Sequence, residues 1–573
     1  MSFQSGQRYS SFRASALTVE TSQRTSMTLT RFAAMRYRAV LALTCATAAC
    51  HTPLTSAPLP LPLQQQLPLA TLSEHAVIPA PLSVVSAGGA PFVLSAASAI
   101  VASLGAGDAA RIGEMLGALL RPSTGYRLPV TVADGAVPRG SIALRLGGAA
   151  DLGAEGYELT IAADSIRIVA ANPAGLFYGV QSLRQLLPTS VEAEYSLGRR
   201  ANGWSVPPGT IVDRPRFVWR GAMLDVARHF FTPSEVRQYI DLLALYKLNT
   251  LHLHLADDQG WRVQIDSWPK LTSLGGSTQV GGGSGGFYTK DDYAGIVRYA
   301  QDRFITVVPE IDMPSHTNAA IAAYPELGCS KPTPGIYGGT QPAGVYTGTE
   351  VGFSAFCADS EATYRFVDDV MRELAAMTPG AYLHIGGDEA HSTSHDQYVR
   401  FVDRVQDIVY KHGKTMVGWE EIGAARLRPT TLAQQWKSDS TQLAIRQGAK
   451  IIFSPANKAY LDMKYTPATE LGLEWAARVE LRTAYDWDPV MYSKGVQESS
   501  VAGVEAALWS ETVQNITAAE YLMMPRLPAL AEVGWSAATV RDWESFRRRI
   551  ASHAPRWRLL GVNYYPSPQV EWK

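Results

Sequence analysis

From about residue 211 onward, short apolar runs alternate with longer stretches in which apolar residues recur at helical spacing. The runs Arg220–Leu224, Thr250–Leu255, Ile305–Ile311, Ala381–Ile385, Thr415–Gly418, Leu432–Gln435, Lys450–Phe453 and Gly503–Leu508 read as strands. Helices are expected between most of them, over 233–246, 291–303, 361–376, 394–412 and 440–447, with a last helical region around 517–534. Eight strands alternating with helices predict an α/β fold, a (β/α)8 TIM barrel over 211–573. Two insertions interrupt the repeat: a Gly/Ser-rich run at 273–287 and a loop between Cys329 and Cys357.

Upstream, residues 76–210 show a different pattern. Ser141–Leu146, Tyr157–Ile161 and Ser165–Ala170 are short apolar runs, and Gly175–Leu187 has helical apolar spacing. No cluster of titratable groups stands out, so a small α+β domain without chemistry is expected ahead of the barrel. Residues 51–75, rich in Pro, Leu, Gln and Ser, read as a linker. Residues 1–50 read as a leader. Met35-Arg36-Tyr37-Arg38 is a basic segment, Ala39–Thr44 begins a short apolar one, and Thr47-Ala48-Ala49-Cys50 closes it with small residues. The expected translation start is Met35, with Met27 as the alternative. Cys50 is a candidate for lipidation; ordinary cleavage after Ala46-Thr47-Ala48 is the other outcome. The chain is expected to be exported, to the periplasm or, through a lipid on Cys50, to the outer membrane or cell surface. No other segment reads as transmembrane.

A formal net charge of −1 over 573 residues carries no basic footprint for nucleic acid. Thirteen Trp and 25 Tyr are many, and aromatic rings suit the apolar C–H faces of sugars. A disulfide between Cys329 and Cys357 is expected if the chain is exported; two free thiols are the alternative. No Cys/His cluster suggests a metal, and the glycines at 273–287 lack the Lys-Ser/Thr ending of a phosphate loop, so no cofactor is expected.

The chemistry is expected where the strands end. Ala381-Tyr382-Leu383 run into His384-Ile385-Gly386-Gly387-Asp388-Glu389, a strand that empties into two glycines and two adjacent carboxylates. Crowded carboxylates cannot both ionise cheaply, so one is suited to carry a proton near neutral pH. The other strands also offer polar or aromatic residues for one rim: Arg220 and Asp225, Asp257 and Asp258, Glu310 to His316, Trp419-Glu420-Glu421, Gln435-Trp436, Tyr460-Leu461-Asp462 and Trp509-Ser510-Glu511. One such ending has a structural explanation; a full ring of them points to one catalytic rim.

These residues resemble the family 20 glycoside hydrolases, the β-N-acetylhexosaminidases. The matching motifs are Trp219–Phe230, His252–Arg262, Pro309–His316 and His384–Glu389, in order, over roughly 76–560. The resemblance implies an exo-acting, retaining enzyme that removes terminal non-reducing β-linked GlcNAc or GalNAc. The nucleophile would be the substrate's own 2-acetamido oxygen, through an oxazolinium intermediate. By match to the motifs, Glu389 is the general acid and base, Asp388 accepts the acetamido N–H, and Tyr460 donates to the acetamido oxygen. Arg220 is implied as the arginine that grips the 3- and 4-hydroxyls, with Asp462 and Glu511 as hydroxyl acceptors. Trp419, Trp436 and Trp509 are implied as pocket walls, and Asp257 with His316 as a relay to Glu389. Asp225, Asp312 and Glu420 are expected behind the site. The partner is therefore a carbohydrate. A disaccharide-releasing relative and a glycan-binding lipoprotein without catalysis are the rival readings; the intact Asp388-Glu389 pair and Tyr460 speak against the second.

Overall fold

A computed structural model describes residues 69–573, apart from 106, 149, 198–202, 330–343 and 438–440. The leader, Cys50 and the linker as far as residue 68 lie outside the described residues. Eight parallel strands close into a barrel: β1 (Trp219–Asp225), β2 (Thr250–His254), β3 (Thr306–Glu310), β4 (Tyr382–His384), β5 (Thr415–Trp419), β6 (Leu432–Gln435), β7 (Lys450–Phe453) and β8 (Val501–Leu508). β8 returns to β1 in parallel register, Trp219 opposite Gly503 and Leu224 opposite Leu508. Nearly every strand residue is buried, as expected of a parallel sheet covered on both faces.

The surrounding helices begin where side chains satisfy the free N–H groups of the first turn. Thr232 caps Pro233–Leu245, Thr289 caps Lys290–Gln301 and Ser394 caps His395–Lys411, each with a reciprocal bond from the third helical residue. The helical region expected around 517–534 is two helices, Ile516–Met523 and Arg526–Trp535. Pro525 stands between them, where it has no N–H to continue the first.

The first domain is a seven-stranded mixed sheet, in the order Ser83–Ser86, Gly209–Asp213, Tyr157–Ala162, Ser165–Ala170, Ser141–Leu146, Ile100–Ala102, Val130–Val132. It carries the helices Gly107–Thr124 and Pro173–Leu186. Its edges differ from the expected 76–210. Leu72 is fully buried in its core, so folding begins inside the segment read as linker, and the last strand runs on to Asp213. Leu72 is one of several leucines in a Pro-rich stretch, and no periodicity sets it apart.

The domain grips the barrel through buried charge. Asp213 Oδ2 accepts from Tyr157 Oη at 2.7 Å and from Lys247 Nζ at 3.0 Å, and its Oδ1 accepts from Trp535 Nε1 at 2.9 Å. Glu192 takes Arg184 from its own domain and Arg556 from the last helix, Ala554–Leu559.

Arg220 belongs to this interface. It is the second residue of β1, at the strand's N-terminal end. Its guanidinium holds Glu155 in a fork, Nη1 to Oε2 and Nη2 to Oε1, both at 2.9 Å. Its remaining donors reach the carbonyls of Lys247 and Phe217. Burial alone would raise the Glu155 carboxyl, but Arg220 holds it below the usual carboxylate range. Removing one partner of a buried pair strands the other. Arg220→Ala is therefore expected to cost about 3–5 kcal/mol of stability in denaturant melts. A loss within about 0.5 kcal/mol, as at an exposed surface site, would show that the pair does not hold the domains.

Candidate active site

The C-terminal ends of the strands open into one cavity of about 270 Å³. β4 delivers its acidic pair through an abrupt turn. Gly386 has φ 67° and Gly387 φ 103°, and Glu389 itself sits at φ 48°, a left-handed conformation costing a non-glycine residue roughly 1–2 kcal/mol. Gly386 is required on a second count, because a Cβ there would lie 1.8 Å from Asp312 Oδ1. Neighbours over-determine the turn. Gly387 N donates to Asp312 Oδ1 at 3.1 Å, Tyr398 Oη donates to the Gly387 carbonyl at 2.6 Å, and Ser315 donates to the Asp388 carbonyl.

His316, also at positive φ (57°), enters from the loop after β3. Its Nε2 lies 3.6 Å from Asp388 Oδ2 and 3.7 Å from Glu389 Oε2, while Nδ1 faces Asp257 Oδ1 at 3.4 Å. Burial opposes its charge, but Asp257, Asp312 and Asp388 together lift its pKa well above the ordinary histidine value. His316 is thus an imidazolium between acids. Burial pushes Asp388 up to about 6. Asp312, buried beside the Asp388 charge, is raised well above the carboxylate range.

The opposite end of the cavity is built after β1, β7 and β8. Asp225 Oδ1 accepts from the backbone N–H of Ala227 and Arg228, and its Oδ2 accepts from Ser510 N, tying the ends of β1 and β8 together. That turn aims Arg228 into the cavity, over the Trp509 ring at 4.8 Å and against Asp257 Oδ2 at 2.8 Å. Both carboxylate oxygens of Asp462 and one of Glu511 are buried without a well-aligned protein donor. Burial raises both carboxyls. Acceptors left open on a cavity wall suit a ligand rich in hydroxyls. Trp436, Tyr460, Trp475 and Trp509 supply aromatic walls; Tyr460 and Trp436 lie parallel at 6.4 Å. The Tyr460 phenol is pushed well above its ordinary pKa by burial and stays a donor.

A disulfide joins Cys329 to Cys357, and the segment before Cys357 brings Thr349 and Val351 to the cavity rim. Its limb is stitched to the β2 loop: Gln259 donates to the Gly348 carbonyl at 2.8 Å, and Ser354 donates to Asp258. His252, Glu310 and His384 place ligand-type atoms within 4.8 Å of one another, as do His254, Asp257 and Asp312. Each of the four pairings of these imidazoles with Glu310 and Asp257 lies within 3.0 Å, so the cluster is knitted by its own acid–base contacts.

Residues 217–538 match the glycosyl hydrolase family 20 catalytic domain, and residues 74–214 match domain 2 of the same family. The chain belongs to glycoside hydrolase family 20. A β-N-acetylhexosaminidase of Cellulomonas fimi is 44% identical over 505 residues, covering 87% of this chain and 98% of that protein. The family 20 β-N-acetylhexosaminidase structure from Streptomyces coelicolor A3(2) is 51% identical at a TM-score of 0.82, over 88% of this chain and 100% of that one. A mutant Streptomyces plicatus β-hexosaminidase in complex with the product GlcNAc is 50% identical at a TM-score of 0.83, over 89% of this chain and 100% of that one.

The cavity of this family 20 chain brings together Asp388, Glu389, Tyr460, His316, Trp436, Asp462, Trp509 and Glu511. Asp257 stands behind it, between Arg228 and His316. Trp419 is also behind rather than on the wall. It is 1% exposed, its indole N–H is given to Glu310 Oε1 at 2.9 Å, and its ring packs 5.7 Å from Trp509. Arg220 is not in the site at all; the guanidinium that lines the cavity is Arg228. Both arginines lie in the same motif, but only Arg228 follows the C-terminal end of its strand, where barrel sites form. Trp475 lines the cavity from a loop without periodicity and was not marked in the sequence.

The Gly386 turn can be tested against a simpler glycine. Gly413 has φ 73° with no neighbour within 4 Å of a built Cβ. Gly413→Ala should cost only the left-handed penalty, about 1–2 kcal/mol in thermal or denaturant melts. Gly386→Ala should cost clearly more, because the Asp312 carboxylate must also move. Equal losses would mean that close approach is not what fixes this turn.

Proposed function

We propose that this chain is an exo-acting, retaining β-N-acetylhexosaminidase that removes terminal β-linked GlcNAc or GalNAc by substrate assistance. The observation that carries the reading is the Asp388-Glu389 pair standing beside one imidazolium, opposite the open acceptors of Asp462 and Glu511. The cavity is closed at that far end by Arg228, Asp462 and Glu511, which supports a single terminal sugar. Arg228 binds ring hydroxyls with a fork that lysine lacks. Asp462 and Glu511 accept the others, and Trp509 carries the pyranose face.

In the reaction, Asp388 accepts the acetamido N–H and Tyr460 donates to the acetamido oxygen, which aims that oxygen at C1. The oxygen attacks C1 while Glu389 gives its proton to the departing glycosidic oxygen. The C1–O bond to the leaving group breaks as the ring oxazolinium forms. Glu389, now a carboxylate, takes a proton from the water that opens the ring at C1. The net configuration is retained. Asp388 balances the positive charge that develops on the acetamido group. We also infer export, which the Cys329–Cys357 disulfide supports through the oxidising compartment it needs.

Purified protein should cleave nitrophenyl β-GlcNAc and β-GalNAc and leave nitrophenyl β-glucoside untouched. Equal turnover of the glucoside would remove the acetamido nucleophile and overturn the reading.

The acid limb follows from Asp388. Its carboxyl is pushed up to about 6, so it is ionised above that pH and protonated below it. Only the ionised form accepts the acetamido N–H. The pH profile of kcat/KM is therefore expected to fall as pH drops through about 6, as an apparent value of the coupled group. Asp388→Asn should lose that limb together with most of kcat; a variant that keeps the limb would assign it to another group.

A further inference from the structure

Strand β5 is followed by a turn, Glu420–Ala424, whose two leading glutamates have no part in the chemistry above. Glu420 Oε1 accepts from the backbone N–H of Lys437 at 3.0 Å. Glu421 accepts the indole N–H of Trp436 with both oxygens, at 3.1 and 3.2 Å. Consecutive acids of one turn thus hold the backbone and the side chain of the same cavity wall.

We infer that Glu421 is a positioning residue for the acetamido end of the cavity, acting through the indole of Trp436. Ring packing alone leaves an indole free to slide or turn in its plane. Trp436 lies parallel to Tyr460 with ring centroids 6.4 Å apart and meets Trp475 edge-on at 5.9 Å, an arrangement that a flipped indole would also satisfy. Its single N–H is the directional handle, and that handle is on Glu421. Tyr460 is the group that steers the acetamido oxygen, so a shifted Trp436 releases the ring against which Tyr460 is set. Burial, aided by the charges of Asp388 and Glu420, pushes the Glu421 carboxyl up to about 8. At neutral pH the anchor is a neutral acid, so an amide of the same shape can replace it.

The inference rests on the acetamido-sugar reading of the cavity. Wild-type turnover of nitrophenyl β-GlcNAc tests that reading, and the variants test Glu421 alone. Glu421→Ala is expected to lower kcat/KM on this substrate about tenfold, with most of the loss in kcat. Glu421→Gln should stay within about threefold of wild type. Trp436→Phe keeps a ring and removes the donor, so in that background Glu421→Ala should cost less than about twofold. Unchanged kinetics in Glu421→Ala would overturn the inference. So would an equal loss in Glu421→Gln, or the full tenfold loss repeated on Trp436→Phe. Should Glu421→Ala lose its cooperative melt, Trp436→Phe alone must lower kcat; an unchanged kcat there counts against the anchor.

Discussion

Two carboxylates inside the barrel set its geometry. Glu505 of β8 accepts from Trp219 Nε1 of β1 at 2.8 Å and Gln434 Nε2 of β6 at 2.9 Å, and faces His252 Nδ1 of β2 at 2.8 Å. Glu310 of β3 faces His254 Nδ1 of β2 at 2.6 Å and His384 Nδ1 of β4 at 3.0 Å, and accepts from Trp419 Nε1 of β5 at 2.9 Å. His252 Nε2 joins the two systems, 3.0 Å from Glu310. Seven of the eight strands thus contribute a side chain to this network. Most barrel interiors are layers of branched apolar side chains, which tolerate small shifts. A wholly buried ion pair tolerates none, because a displaced partner leaves an uncompensated charge. Charges alternate along the chain. Glu310 and Glu505 lift His252 to about 9 against the pull of burial, Glu310 stays well below the carboxylate range, and His254 is held charged beside it. From His254 the order passes to Asp257 at 2.9 Å, and from Asp257 to Arg228 and His316, two cations of the cavity wall.

The first domain does comparable work at the barrel's other end. Lys247 and Arg220 flank the starts of β2 and β1, both buried, and each finds its counter-charge in the first domain, Asp213 and Glu155. Without the sheet, the barrel's N-terminal rim would hold cations with no partner. The domain can therefore lack chemistry and still be required, since the strands it braces are those that end in Arg228 and Asp257.

This division explains what could be read from the sequence. The eight strands were legible because most are short apolar runs bounded by polar residues, a local pattern, and β2 and β6 fall at the places that the repeat leaves for them. The acidic pair was legible because it is one of a ring of polar strand ends and of a set of ordered motifs; alone, Gly-Gly-Asp-Glu also fits an exposed acidic loop. Arg220 was assigned to the sugar although it opens its strand rather than closes it. The position rule for barrels favours Arg228, eight residues on in the same motif. That Arg220 is already occupied depends on Glu155, 65 positions away in another domain, which no local pattern displays. Trp419 ends its strand and carries the right ring, yet Glu310 draws its N–H inward. Whether a strand-end aromatic faces the cavity or the core depends on which acceptor lies within reach, and that is a tertiary fact.

The acidity of the cavity has a chemical sense. Asp388, Asp462, Glu511 and the neighbouring Asp312 and Glu421 are all raised, mainly by burial, so several carry protons or ionise late. Such a set would be wasteful for binding a neutral sugar, since desolvating acids costs stability without gaining charge contacts. It becomes useful when the bound molecule turns cationic. As the acetamido oxygen closes on C1, positive charge spreads over the ring carbon and the amide, in a site already shielded from water. Ionised or polarisable acids then interact more strongly with the transition state than with the ground state, the condition for acceleration rather than mere affinity. The cations Arg228 and His316 keep that acidity from collapsing into full protonation. They hold Asp257 ionised behind the wall, and His316 opposes the rise at Asp388. The buried acid–imidazole chain of the barrel is thus continuous with catalysis: the same alternation that fixes the strands poises the carboxylate that must ionise.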